Sequence, residues 1–164
     1  MIKLLTPDDG PALAALYLAN RDFLAPFEPK RPDSFFTADA QRTRLVRTAE
    51  AGWWRWGIYD ADELVGFIAL NDVVRGALQM GTLGYWVDER HTGRGLATAA
   101  VGDVVAFAFG EAGLHRVEAG TLPDNVGSQR VLEKNGFERF GYATKLLLIA
   151  GEWRDHILFE RVVD

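Results

Sequence analysis

The sequence predicts an α+β fold built on a mixed, mainly antiparallel twisted sheet of about seven strands flanked by helices. Three observations lead there. Short apolar runs recur between polar turns, as at Trp54 to Tyr59 and Leu64 to Leu70. One longer stretch, Leu96 to Phe109, is apolar on nearly every face, as expected for a helix packed on a sheet. The order along the chain is strand, helices, three strands, helix, strand, helix and two strands. At 164 residues and 48% hydrophobic content, the chain suits one domain over 1–164 with a proper core.

Each element has its own signal. Ile2 to Leu5 reads as a short strand, and Thr6-Pro7-Asp8-Asp9 as a helix start with Thr6 as N-cap and Pro7 at the first position. The helix that follows carries Leu13, Leu16 and Tyr17. Ala25 to Phe36 is rich in proline and aromatic residues and reads as a loop framing a site; Thr37 caps a further helix to about Thr48. Trp54 to Tyr59 and Leu64 to Leu70 form a hairpin around Asp60-Ala61-Asp62-Glu63. Val73 to Gln79 is a connection to a strand at Thr82 to Val87. After the Leu96 helix, Gly110 to Gly113 supplies the C-cap. Val117, Ala119 and Thr121 alternate as a strand, Ser128 to Asn135 is a helix closed by Gly136, and Tyr142 to Ile149 with Trp153 to Val162 is a final hairpin.

Composition excludes several functions. There is no cysteine, hence no disulfide framework, thiolate zinc site or cysteine nucleophile, and a reducing cytoplasm fits. No apolar run approaches the ~20 residues that span a bilayer, so neither a signal peptide nor a membrane span is expected. A net charge of −5 argues against nucleic-acid backbone binding and favours a cationic acceptor such as an amine. His91, His115 and His156 lack metal-ligand spacing, so they read as surface or core residues and no metal is expected. Trp53, Trp54 and Trp56 read as sheet and core residues.

The most informative stretch is Arg90-His91-Thr92-Gly93-Arg94-Gly95-Leu96-Ala97-Thr98, between a strand and a long helix. Gly93 and Gly95 allow positive φ and close approach of a ligand, while loop N–H groups and the helix N-terminus face an anion together. Arg90 and Arg94 add charge-assisted donors. The loop lacks the Lys-Ser/Thr pair of a P-loop and the third glycine of a dinucleotide fingerprint. The reading is a pyrophosphate cradle.

Arg90-x-x-Gly93-x-Gly95 resembles the Gln/Arg-x-x-Gly-x-Gly/Ala signature of the GNAT superfamily of N-acetyltransferases. Asn125 to Ser128 followed by Val131 to Phe137 stands at the spacing that superfamily shows. Gly84-Tyr85-Trp86-Val87 and the segment from Asn20 to Pro29 are similar to the branch of ribosomal-protein N-terminal alanine and serine acetyltransferases. The resemblance runs over nearly the whole chain. It implies acetyl-CoA as co-substrate, with Arg90, Thr92, Gly93, Arg94, Gly95, Leu96, Ala97 and Thr98 holding the pyrophosphate. It also implies that the strands Thr82 to Val87 and Arg116 to Leu122 splay to admit the thioester arm.

Within that gap, Trp86, Val87 and Tyr85 are candidates for backbone contacts to the cofactor, although the side chain of Trp86 also suits the core. Asn125 is either an amide donor to pantetheine or a helix cap. By resemblance Ser128 lies near the coenzyme sulfur and assists the leaving thiolate; otherwise it is a first-turn helix serine. Two positions depart from the pattern: Leu132 stands where many relatives carry tyrosine, and Leu147 where some carry glutamate. The general base is therefore open. Asn71 and Tyr142 are candidate substrate-binding residues, with Glu138 and Asp155 as further neighbours of the site.

The expected activity is direct acetyl transfer to a primary amine in a ternary complex, with a ribosomal or other protein N-terminus as first substrate. Polyamines, aminoglycosides and amino acids are alternatives, as is an acyl-CoA-binding regulator with little turnover. A monomer or homodimer is expected.

Overall fold

The computed structural model describes residues 1–163. Its strands are β1 (Ile2–Leu4), β2 (Trp54–Asp60), β3 (Glu63–Val74), β4 (Met80–Val87), β5 (Arg116–Thr121), β6 (Glu138–Ile149) and β7 (Glu152–Val162). They form one seven-stranded sheet in the order β1-β2-β3-β4-β5-β7-β6. Every neighbouring pair is antiparallel except β4 and β5. The mixed, mainly antiparallel GNAT-type sheet expected from the sequence is the one observed.

Helices cover both faces. They are α1 (Gly10–Ala19), the single turn α2 (Arg21–Leu24), α3 (Ala38–Glu50), α4 (Leu96–Phe109) and α5 (Val126–Lys134). Period-two alternation divides the strands between two cores. Trp56, Ile58, Ile68, Leu70 and Leu83 pack with Val101, Val104 and Val105 of α4. On the other face Phe67 and Ala69 pack with Leu13 and Tyr17 of α1 and Leu45 of α3. The cap of α3 is as the sequence indicates: Thr37 Oγ1 accepts the Ala40 N–H at 3.2 Å, a contact that contributes about 1 kcal/mol in typical helices.

Several boundaries differ from expectation, among them the start of β6 at Glu138 rather than Tyr142 and of β4 at Met80 rather than Thr82. Strand β3 continues through Val74, because a register shift between Asn71 and Val74 absorbs Asp72, whose φ is +49°, without ending the pairing with β4. Helix α5 begins at Val126, since Asn125 Oδ1 takes the Ser128 N–H at 3.2 Å and makes Asn125 the cap. After α4 the C-cap is Gly110, within the segment the sequence indicates, although its φ is −85° and the left-handed residue is Gly113 at φ +61°.

The sheet opens at its centre. The parallel ladder of β4 and β5 holds only Met80 to Arg116, Gly81 to Val117 and Thr82 to Glu118. Beyond Thr82 the two strands part, so among the described residues the last five of β4 have no strand partner on that side.

Candidate active site

The opening between β4 and β5 decides which backbone groups of β4 are free. Asp88 N–H donates to Val65 O at 2.7 Å. Antiparallel ladders alternate, so Trp86 also turns its backbone towards β3, whereas Tyr85 and Val87 turn theirs into the gap. This corrects the expectation for Trp86, which reaches the site through its indole instead. Its Nε1 is buried and has no partner among the described residues.

A groove of about 410 Å³ runs from the gap along the N-terminus of α4. Thr92, Gly93, Gly95, Leu96, Ala97 and Thr98 line it. Gly93 and Gly95 have φ of +76° and +78°, and among the described residues a Cβ at either would meet no atom within 4 Å beyond its chain neighbours. Space is therefore left over the backbone N–H groups of the loop, the shape an extended phosphate ester needs. Val87 lines the same groove from β4.

The two loop arginines are occupied elsewhere. Arg90 is bidentate on buried Asp88, with Nη2 to Oδ2 at 2.7 Å and Nε to Oδ1 at 3.2 Å. Arg94 Nη1 lies 2.6 Å from Asp60 Oδ2. Neither lines the groove, because these carboxylates draw the guanidinium groups to the loop's outer side. The charged residues lining the groove are instead Arg130 and Lys134 of α5. With Gly127 and Val131 they occupy i, i+3, i+4 and i+7 of one helix face, a spacing visible in the sequence.

Asp88 organises the loop. Hydrogen bonds from the Arg90 side chain are the main cause that holds its pKa down to about 2, with the Arg90 backbone N–H helping. A depressed carboxylate stabilises the fold above its unfolded value and loses that contribution as pH falls through the folded one. Thermal melting should show stability dropping between pH about 4 and about 2, and the slope in that window should flatten in Asp88→Asn. An unchanged slope would mean that other carboxylates control the acid limb.

On the far side of Trp86 lies a second cavity of about 430 Å³. Tyr85, Trp86, Asn125 and Ser128 line both spaces. The Tyr85 hydroxyl is 2.8 Å from Ser128 Oγ and donates to Ser128 O at 3.1 Å. Burial pushes the Tyr85 pKa up to about 12, partly offset by the bond from Ser128, so the phenol stays protonated. Asn125 spends Oδ1 on its cap and keeps its amide donors. Asn71 lines the second cavity from the irregular end of β3, and its Oδ1 is buried without a partner among the described residues.

The structure does not bring Tyr142 to either space. Its ring is exposed on β6 and its hydroxyl donates to Asp155 Oδ2 at 2.7 Å. Leu147 and Glu138 are exposed on the same edge strand. Leu132 is fully buried in the core beneath the second cavity.

Comparison with known proteins shows the family. The Acetyltransferase (GNAT) domain model matches residues 1–138. The chain belongs to the GNAT acetyltransferases. It is 41% identical over 161 residues to the probable N-acetyltransferase YjcK of Bacillus subtilis (strain 168), covering 94% of this chain and 89% of that protein. It is 34% identical over 164 residues to the [ribosomal protein uS5]-alanine N-acetyltransferase of Escherichia coli (strain K12), covering 96% and 84%. The ribosomal-protein-S5-alanine acetyltransferase of Vibrio fischeri superposes with a TM-score of 0.95 at 31% identity, over 99% of this chain and 92% of that one. Mycobacterium smegmatis RimJ, solved in complex with CoA-disulfide, superposes at 0.92 with 30% identity, over 99% and 81%.

Sequence reasoning missed four features of this GNAT enzyme besides Arg130 and Lys134. The Tyr85 side chain was passed over for its backbone. His156, which reads with the other histidines as a surface or core residue, is buried and also lines the second cavity. Its Nδ1 lies 3.1 Å from Arg154 O; a carbonyl only accepts, so in the neutral ring Nε2 is left as a proton acceptor. His91, too, lines the groove rather than open surface. The fourth feature is a group of arginines in the second cavity.

Proposed function

We propose that this chain is an acetyl-CoA-dependent N-acetyltransferase acting on a protein N-terminus, ribosomal proteins first, by direct attack in a ternary complex. The observation that carries this reading is the pair of cavities meeting at Ser128, Tyr85, Trp86 and Asn125. One suits a phosphate-bearing arm and the other a polar acceptor, so both substrates can reach the same hydroxyl pair from opposite sides. Bound acetyl-CoA supplies an activated acyl carbon on a thiol leaving group.

The remaining work falls to the chain's own residues. Asn71 Oδ1 accepts from the amine and orients its lone pair. An α-amino group with a pKa of about 7.7 to 8.0 needs only a weak base, unlike a lysine near about 10.4. His156 Nε2, or water beside it, takes the proton released as the C–N bond forms. Unpaired N–H groups of Tyr85 and Val87 in the gap stabilise the developing oxyanion. As the C–S bond breaks, the Ser128–Tyr85 hydroxyl pair donates to the departing sulfur.

Thiol release measured over a panel of acceptors tests the reading. Peptides beginning with alanine or serine should exceed polyamines, aminoglycosides and free amino acids in kcat/KM by at least about tenfold. A reversed order would move the acceptor to a small molecule. Coenzyme binding without turnover of any amine would leave an acyl-CoA-binding protein.

A further inference from the structure

The second cavity holds charges that transfer to a plain amine does not use. Arg31 and Arg44 lie over the Phe35 ring at 4.6 and 4.7 Å, and Arg55 over the Phe67 ring at 5.4 Å. These rings flank Tyr17, with centroids 5.1 and 6.1 Å from it, so three guanidinium groups from three segments converge on one aromatic platform. Repulsion from Arg44 and Arg31 adds to burial, the main cause, in lowering the Arg55 pKa to about 10.

Counter-charge is deficient. Glu28 Oε2 is 3.8 Å from Arg31 Nε, too far for a hydrogen bond, and burial raises its pKa. Arg44 donates at 2.7 Å to the neutral amide of Gln41. Asp72 is exposed at the cavity's edge. Among the described residues, Nε of both Arg31 and Arg55 is buried without a partner. Gathered, half-desolvated cations are costly unless an anion completes their hydrogen bonds.

We propose that Arg31, Arg44 and Arg55 form a carboxylate clamp, and that the acceptor carries a carboxylate close to the amine that is acetylated. The inference rests on the reading of this cavity as the acceptor site and names the acceptor's chemistry. Arg55 pairs with Ala69, and Asn71 lies two residues further along β3 on the same face. Such diagonal neighbours are ~7–8 Å apart, about two residues of extended peptide. With the amine at Asn71, the carboxylate belongs to the second or third residue of an N-terminus, or is the α-carboxylate of a short acceptor. Across β3 from Arg55, Gly84 pairs with Ala69 and has no side chain, and among the described residues a Cβ there would approach only Asn71 Nδ2, at 3.9 Å. The net charge of −5 pointed to a cationic acceptor, but the sum over the chain does not set the sign inside one cavity.

Titration calorimetry on the CoA-loaded protein tests the clamp with the amidated peptide Ala-Ala-Glu-Ala, its Ala-Ala-Gln-Ala counterpart, and free glutamate. The Glu peptide should bind at least about tenfold more tightly than the Gln peptide, as for a charge-assisted bidentate pair. Arg55→Gln should abolish that difference, and Arg55→Lys should restore part of it, while coenzyme affinity stays at the wild-type value. If Arg55→Gln fails to fold, Arg44→Gln provides the same comparison. Equal binding of the two peptides to the wild type, or a preference that survives loss of the arginine, overturns the clamp. Free glutamate binding more tightly than the Glu peptide supports the clamp and shifts its carboxylate to an amino acid. A Glu preference in binding with no thiol release from any amine keeps the clamp and sinks the proposed reaction.

Discussion

Ser128→Ala is expected to lower kcat by ~10- to 1000-fold, the range typical for losing one donor that acts in the transition state. Acetyl-CoA affinity should stay close to wild type, because the hydroxyl matters most when sulfur becomes a thiolate. The geometry makes the experiment clean. Ser128 Oγ touches the Tyr85 hydroxyl at 2.8 Å, but Tyr85 also donates to the backbone carbonyl of residue 128, a bond the alanine retains. The cap of α5 is likewise kept, since it uses the Ser128 N–H. A merely structural serine would therefore change stability by roughly 1 kcal/mol or less and spare the rate. Wild-type turnover of the best amine under saturating conditions would remove Ser128 from the chemistry and leave the thiolate to be protonated by water or another group.

Gly95→Glu is expected to weaken acetyl-CoA binding by at least about tenfold, equivalent to about 1.4 kcal/mol. Gly95 is the N-cap of α4 with φ +78°, so a side chain there costs about 1–2 kcal/mol of backbone strain. Among the described residues, its chain neighbours aside, no atom lies within 4 Å of the new Cβ, which therefore meets open space. What changes is the space above the loop N–H groups, now filled by a carboxylate of the same sign as the phosphates. Calorimetry on the folded variant measures it. Unchanged affinity would show that the ester lies elsewhere, for example nearer Arg130 and Lys134.

The amino-acid sequence by itself determined whatever depends on neighbours along the chain. The bounds of α4, the Thr37 cap, and the strand–glycine loop–helix unit from Leu83 to Phe109 all follow from local signals of periodicity, capping and backbone freedom. The glycines at 93 and 95 also allow positive φ, which the structure uses at both. Short-range rules also made Asn125 a candidate cap and Ser128 a first-turn helix serine, although they began the helix at Ser128 and the structure begins it at Val126.

Only the tertiary structure decided what those elements meet. Ser128 finds Tyr85 across 43 positions, and the guanidinium groups of Arg31, Arg44 and Arg55 converge from a loop, a helix and a strand. Alternation says that Tyr85 and Trp86 face opposite sides of β4, but not that the backbone of Trp86 is committed to β3. The attraction of Arg90 to Asp88 is local, yet the buried position of Asp88 that makes it strong comes from the end of the sheet. His156 enters the cavity, and Tyr142 stays outside, because β7 lies inside β6 in the strand order and leaves β6 at the exposed edge. Side-chain chemistry acts over a few ångströms, and it is the folding of distant segments onto one sheet that brings groups within that range.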